Sequence, residues 1–172
     1  MIKVILFIGI FISSTYLGFS FSQVFIKRYE NLKELQKLII FMENQVLYVN
    51  TPLPEAIEAT SAKETGVWRD VFLMISKDLR ENNVDDVHEA FTKSLELYKN
   101  QLYLKNSDID IILNFSKSLG VSGIFGQEKI FSLFLSNIKE QINEAKDLKN
   151  KNCKMYKCLG ISLGAAIIIL LI

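Results

Sequence analysis

Histidine and tryptophan occur once each in this 172-residue chain, and cysteine and proline twice each. A single imidazole, His88, lies far from the two thiols, so nothing approaches the roughly four ligands that zinc requires. Cys153 and Cys158 are five apart, on different faces if the segment is helical, which disfavours an intrachain disulfide. They read as two reduced thiols near a membrane, with lipidation of Cys158 or pairing between subunits as alternatives. The chain also lacks a glycine-rich phosphate loop, a His-Glu-x-x-His, a Cys-x-x-Cys and a nucleophile elbow. No cofactor or metal is expected. The residual enzymatic reading would use His88, Asp85 and Asp86, but His88 and Glu89 are sequence neighbours that do not face each other on a helix. Asp85 and Asp86 read as acidity at a helix start. Trp68 reads as a core anchor.

Charge of one sign is lacking too. Lysine and arginine number 20 and aspartate and glutamate 19, with no basic stripe in the body, which argues against nucleic acid as a partner. Nor is there a stretch that alternates at period two for long enough to make a strand.

What the chain has in quantity is hydrophobic residues, 49% of the total, concentrated at the ends; all acidic residues fall between Glu30 and Asp147. Val4 to Ile26 is a run of 23 uncharged residues, enough at about 1.5 Å each to cross roughly 30 Å of hydrocarbon. The rival reading is an exported protein whose signal peptide is cleaved after Ser20-Phe21-Ser22. The retained anchor is favoured, because apolar character continues through Val24, Phe25 and Ile26 to Lys27-Arg28. Cys158 to Ile172 is a second run of 15 uncharged residues, about 22 Å of helix, short for a full crossing unless Lys154 and Lys157 snorkel. A re-entrant or interfacial tail is the alternative. Gly160 and Gly164 form a G-x-x-x-G pair that would admit another helix closely, the first span being one candidate.

The basic residues set the expected topology. Lys27 and Arg28 follow the first run, and Lys149, Lys151, Lys154 and Lys157 precede the last. By the positive-inside rule the body lies in the cytosol, and the same residues form a basic cluster that attracts anionic headgroups.

Between the runs the punctuation is helical. Leu32, Leu35, Ile39, Met42, Val46 and Val49 alternate by three and four over Tyr29 to Val49, with Leu38, Phe41 and Tyr48 as a second row. Thr51-Pro52-Leu53-Pro54-Glu55 reads as a corner opening a new helix at Pro52, with Thr51 as N-cap, and as a candidate docking site for a partner. Gly66 is expected to end that helix, and Val67 to Arg80 to form the next. Asn83 with Asp86, and Ser107 with Asp110, read as capping pairs of two further helices. Gly120, Gly123, Gly126 and Gln127 read as a flexible second loop. A long final helix from Gln127 carries Phe131, Leu135, Ile138, Ile142 and Ala145; its seam fades at Lys149 and Asn152, which predicts a solvated gap open to proteolysis between about Asp147 and Asn152. The expected fold is all-α: an antiparallel bundle of about six helices over 27–157, between an N-terminal transmembrane anchor at 1–26 and a C-terminal transmembrane segment at 158–172 continuous with the last helix.

Three stretches together resemble the stage III sporulation protein AB family: Leu32 to Ile57 ending in the Thr51 to Ile57 corner; Leu119-Gly120 followed by Gln127; and Lys154-Met155-Tyr156-Lys157-Cys158-Leu159-Gly160 leading into the terminal run. The sequence departs from that pattern at Gly123, where an aspartate is expected, and at Ala90-Phe91, where Ala-Trp is. The resemblance implies a non-catalytic scaffold or adaptor. Its body would be similar to the cytoplasmic domain of the inner-membrane platform proteins of type II secretion and type IV pilus systems. It would sit in the mother-cell membrane around the forespore, in a channel complex between the two cells. A cytosolic ATPase and other proteins of the complex are the implied partners.

Overall fold

The computed structural model describes residues 2–119 and 124–171. Every element in it is a helix: α1 (Ile2–Leu47), α2 (Leu53–Ser61), α3 (Val67–Arg80), α4 (Val87–Leu102), α5 (Asn106–Leu119) and α6 (Ile124–Leu171). The all-α expectation of about six helices holds among the described residues. The anchor and the first body helix are one uninterrupted helix, because the charged boundary at Lys27-Arg28 contains no residue that interrupts the hydrogen-bond ladder. The last body helix and the final apolar run are likewise one helix, beginning three residues before Gln127.

The chain divides into two compact units: Met1–Tyr29 with Asn143–Ile172, and Glu30–Ile142. Residues 143–157, which the sequence reading assigned to the bundle, thus group with the apolar ends.

The second unit is the helical bundle. On α1, Leu32, Leu35, Leu38, Ile39, Met42 and Val46 are buried, as their spacing predicts. Tyr48 and Val49 are 75% and 62% exposed instead, because the helix stops at Leu47. Asn50 turns left-handed there, and the Thr51 N–H returns to the Gln45 carbonyl at 2.9 Å, a six-residue closure that satisfies a terminal carbonyl. The core continues through Ala56 and Ile57 of α2, Trp68, Val71, Phe72 and Ile75 of α3, and Ala90, Phe91 and Leu95 of α4. Ile112 and Phe115 of α5 and Phe131, Phe134 and Ile138 of α6 complete it. Phe91, at the departure from the family pattern, stands edge-on to Phe72 with ring centres 6.2 Å apart. Phe115 packs on Phe131 and Phe134 at 5.3 and 4.2 Å. Aromatic pairs of this kind add about 0.5–1.5 kcal/mol each beyond the area they bury.

Asn31 ties three helices together. Its backbone carbonyl accepts the Trp68 indole N–H at 2.9 Å, and its side-chain amide donates to the Leu102 carbonyl at the end of α4 at 2.6 Å. The indole is fully buried, so its polar edge needs that acceptor.

Several helix boundaries differ from expectation. Pro52, rather than Thr51, is the N-cap of α2, and Pro54 alone of the two prolines lies inside the helix. Helix α2 ends at Ser61, so Gly66 does not terminate it; Gly66 is extended and is the N-cap of α3. The cap of α4 is Asp86, whose carboxylate accepts the Glu89 N–H at 2.7 Å while the Glu89 carboxylate accepts the Asp85 N–H at 2.7 Å. That reciprocal box displaces the Asn83–Asp86 pairing by three residues. In α5, Asp108 rather than Asp110 reaches back, accepting the Lys105 N–H at 2.9 Å. The two box errors have one cause: Ser, Asn and Asp recur every few residues here, and the box goes to the carboxylate three residues beyond the position that precedes the actual helix.

Candidate functional site

The first unit is an antiparallel helical hairpin whose pairs run in descending register. Arg28 reaches Glu144 at 3.5 Å, the Lys149 ammonium lies 4.1 Å from the centre of the Tyr29 ring, and the Cys153 thiol donates to the Ser22 carbonyl at 3.3 Å. Tyr156 stacks between Phe21 and Phe25 at 5.9 and 5.8 Å, and Lys157 lies over Phe19 at 5.0 Å. Deeper, the Ser14 hydroxyl donates to the Gly160 carbonyl at 2.7 Å.

Gly160 and Gly164 occupy the contact expected of them, against the first apolar segment. A Cβ on Gly160 would stand 3.0 Å from the Gly18 Cα and 3.0 Å from the Ser14 carbonyl oxygen; one on Gly164 would meet Phe11 at 3.1 Å. The partner stripe, Ser14-x-x-x-Gly18-x-x-x-Ser22, went unread in the sequence, although small residues four apart in an apolar run are its signal. Both helices are long and apolar enough to cross a membrane.

The basic cluster is less uniform than its spacing suggests. Lys27, Lys151 and Lys154 are exposed, and Lys149 and Lys157 lie over aromatic rings. Arg28 does not face lipid headgroups: it is 4% exposed and turned toward Glu144. Of the stretch predicted as a solvated gap, Asp147, Asn150 and Lys151 are exposed, while Leu148, Lys149 and Asn152 are half-buried, since Ser22 to Tyr29 of α1 pack alongside. The seam continues there with polar and aromatic contacts in place of aliphatic ones.

On the bundle, Pro52 and Glu55 are exposed and Thr51, Leu53 and Pro54 half-buried. With Tyr48 and Val49 they make the α1–α2 corner a surface of apolar and acidic residues. Of the second loop, Gly120 and Gly123 lie outside the described residues, while Gly126 and Gln127 are half-buried in the first turn of α6 and are not loop residues. Three carboxylates depart from ordinary behaviour. Burial first, and the nearby Glu64 carboxylate second, push Glu34 up. Burial and then Glu128 push Glu43 up. The hydrogen bond from Lys93, at 2.8 Å, holds Asp78 down.

Two of the three residues considered for catalysis have structural partners, and the third, Asp85, is exposed. His88 Nδ1 lies 3.2 Å from both the Leu113 carbonyl and the Ser116 hydroxyl of α5, while Asp86 caps α4. Among the described residues no three His, Cys, Asp or Glu side chains gather as metal ligands.

The comparisons with known proteins agree with this all-helical organisation. The family model for stage III sporulation protein AB (spore_III_AB) matches residues 3–172. The chain belongs to the stage III sporulation protein AB family. It is 26% identical over 171 residues to stage III sporulation protein AB of Bacillus subtilis (strain 168), covering 99% of each chain. A solved structure of a stage III sporulation protein AB (SpoIIIAB) shares the fold, with a TM-score of 0.66 and 22% identity over 73% of this chain and 98% of that one.

Proposed function

We propose that this family member is a non-catalytic, membrane-anchored adaptor of a sporulation channel complex between mother cell and forespore, linking a cytosolic ATPase to membrane components. The observation that carries the reading is the continuity of α1 and α6: each supplies core residues to the bundle and close-packed small residues to the apolar hairpin within one helix. Such helices turn a soluble bundle into a fixture of the membrane surface, in the mother-cell membrane with the bundle in the cytosol. The side-chain commitments of His88 and Asp86 to packing and capping support a role through binding rather than chemistry. The corner from Tyr48 to Glu55 is the proposed docking face, its exposed aromatic and proline residues being the kind that anchor interfaces.

Co-purification of the full-length protein from detergent with the proposed cytosolic ATPase, under crosslinking, tests the coupling; reproducible absence of the ATPase overturns it. The exported alternative requires cleavage before Gln23, which would remove Ser14 and Gly18, the residues against which Gly160 packs. Intact mass of the membrane-extracted protein separates the two: retention of residues 1–22 fits the adaptor, and a product starting at Gln23 contradicts it.

A further inference from the structure

The two helices of the hairpin lose charge at different levels. On α1 the uncharged run ends at Ile26, before Lys27, whereas on α6 it starts only at Cys158, after Lys157. Their pairing sets Lys157 over Phe19, seven residues inside the uncharged run of α1, which is about 10 Å along a helix. Across that stretch one side presents Phe21 and Val24, 59% and 44% exposed, and the other carries Lys151, Lys154 and Lys157. Water does not suit the first side and hydrocarbon does not suit the second. Beyond Asp147 the unit has no side chain to neutralise these lysines, because 1–29 and 148–172 contain no aspartate or glutamate. The unit's two acidic residues, Glu144 and Asp147, both precede Lys149, and Glu144 faces Arg28.

A groove of about 460 Å³ lies on this boundary, lined by Ile26, Lys149, Asn150, Cys153, Lys154 and Lys157. Its α6 residues share one helical face by their spacing of three and four. Lys149 and Lys157 are already placed at its two ends by Tyr29 and Phe19, which lowers the ordering cost of a ligand.

We propose that this groove binds the headgroup of an anionic glycerophospholipid. Its phosphate oxygens accept N–H donors from Lys154 and Lys157, with Lys149 at the outer end, and its acyl chains continue onto the apolar side that starts at Ile26. A phosphodiester supplies the counter-charge that is absent beyond Asp147, at the depth where it is lacking. A zwitterionic lipid brings its own ammonium and competes with the lysines. The inference rests on the membrane reading of the hairpin, and the test separates the two.

Full-length protein is reconstituted with vesicles of phosphatidylcholine alone or mixed with phosphatidylglycerol, then extracted in detergent for native mass spectrometry. The expected result is retained phosphatidylglycerol, no retained phosphatidylcholine, and no displacement by excess inorganic phosphate. Lys154→Gln with Lys157→Gln lowers occupancy about tenfold, Lys154→Arg with Lys157→Arg retains it, and Lys139→Gln with Lys146→Gln, the same charge change outside the basic cluster and the groove lining, alters it less than about twofold. Equal loss in the last pair, or equal retention of both lipids, overturns the groove and leaves only diffuse attraction. Displacement by phosphate overturns the lipid as occupant. Failure to enter vesicles of either composition overturns the membrane reading itself.

Discussion

Gly18 and Gly160 meet backbone to backbone: a Cβ on Gly18 would stand 2.6 Å from the Tyr156 carbonyl oxygen and 2.9 Å from the Gly160 Cα. Neither neighbour is a flexible side chain, so any larger residue must part the helices. Gly18→Leu and Gly160→Leu are each expected to open the hairpin, and Gly160→Ala to cost about 1–3 kcal/mol by overpacking. Ser22→Cys placed beside Cys153, in a Cys158→Ser background, provides the measurement, since the Cys153 sulfur already lies 3.3 Å from the Ser22 carbonyl. Oxidation should give efficient intrachain crosslinking that either leucine substitution reduces severalfold.

Trp68 is the sole tryptophan and is fully buried, so its fluorescence reports the bundle core. Asn31→Ala removes the amide donated to the Leu102 carbonyl and is expected to cost about 1–2 kcal/mol in denaturant unfolding of the full chain in detergent. Trp68→Phe keeps most of the ring and loses the indole hydrogen bond, costing a similar amount; Trp68→Ala should cost about 3–5 kcal/mol. The last two variants are followed by circular dichroism.

The bundle core was legible because its stripe has one period and one face. Leu32, Leu35, Ile39, Met42 and Val46 are buried as the three-four spacing requires, and the stripe fails only at Val49, beyond the left-handed Asn50. That end was itself readable, since Asn followed two residues later by Pro is a helix-stop signal. Gly18 was missed for a different reason: a small residue in a uniformly apolar run has no polar contrast to mark a face, and only its partner, Gly160, reveals its role. The capping boxes were found in kind but misplaced, because local polar residues offer several registers and packing selects among them.

Two carboxylates give opposite pH dependence. Asp78 is held below its ordinary range chiefly by Lys93. Its stabilisation is therefore present above the ordinary carboxylate pKa of about 4 and is lost as pH falls through the depressed value. Glu34 is raised, chiefly by burial, so its protonated form is favoured in the fold. Its contribution is fully present below the ordinary pKa and is lost as pH rises through the raised one. Asp78→Asn should thus destabilise at pH 7 by an amount that shrinks in acid, whereas Glu34→Gln should stabilise at pH 7 and lose that advantage in acid. Unfolding midpoints between pH 7 and 3 check both signs.

The Asp86 cap makes a local prediction. Asp86→Ala should cost about 1 kcal/mol, up to 2, by orphaning the Glu89 N–H. Asp85→Ala, which removes an exposed side chain and leaves the backbone N–H bonded to Glu89, should stay within about 0.5 kcal/mol. Equal losses would place the helix start at the wrong residue.

The adaptor reading is tested most directly by a photocrosslinking amino acid at Tyr48, beside the Pro52 corner, in the full-length protein in sporulating cells, with adducts identified by mass spectrometry. The account predicts an adduct with the cytosolic ATPase from Tyr48 and none from Lys77, an exposed residue of α3. Absence of the ATPase adduct at Tyr48, with the protein intact in the membrane fraction, would contradict it.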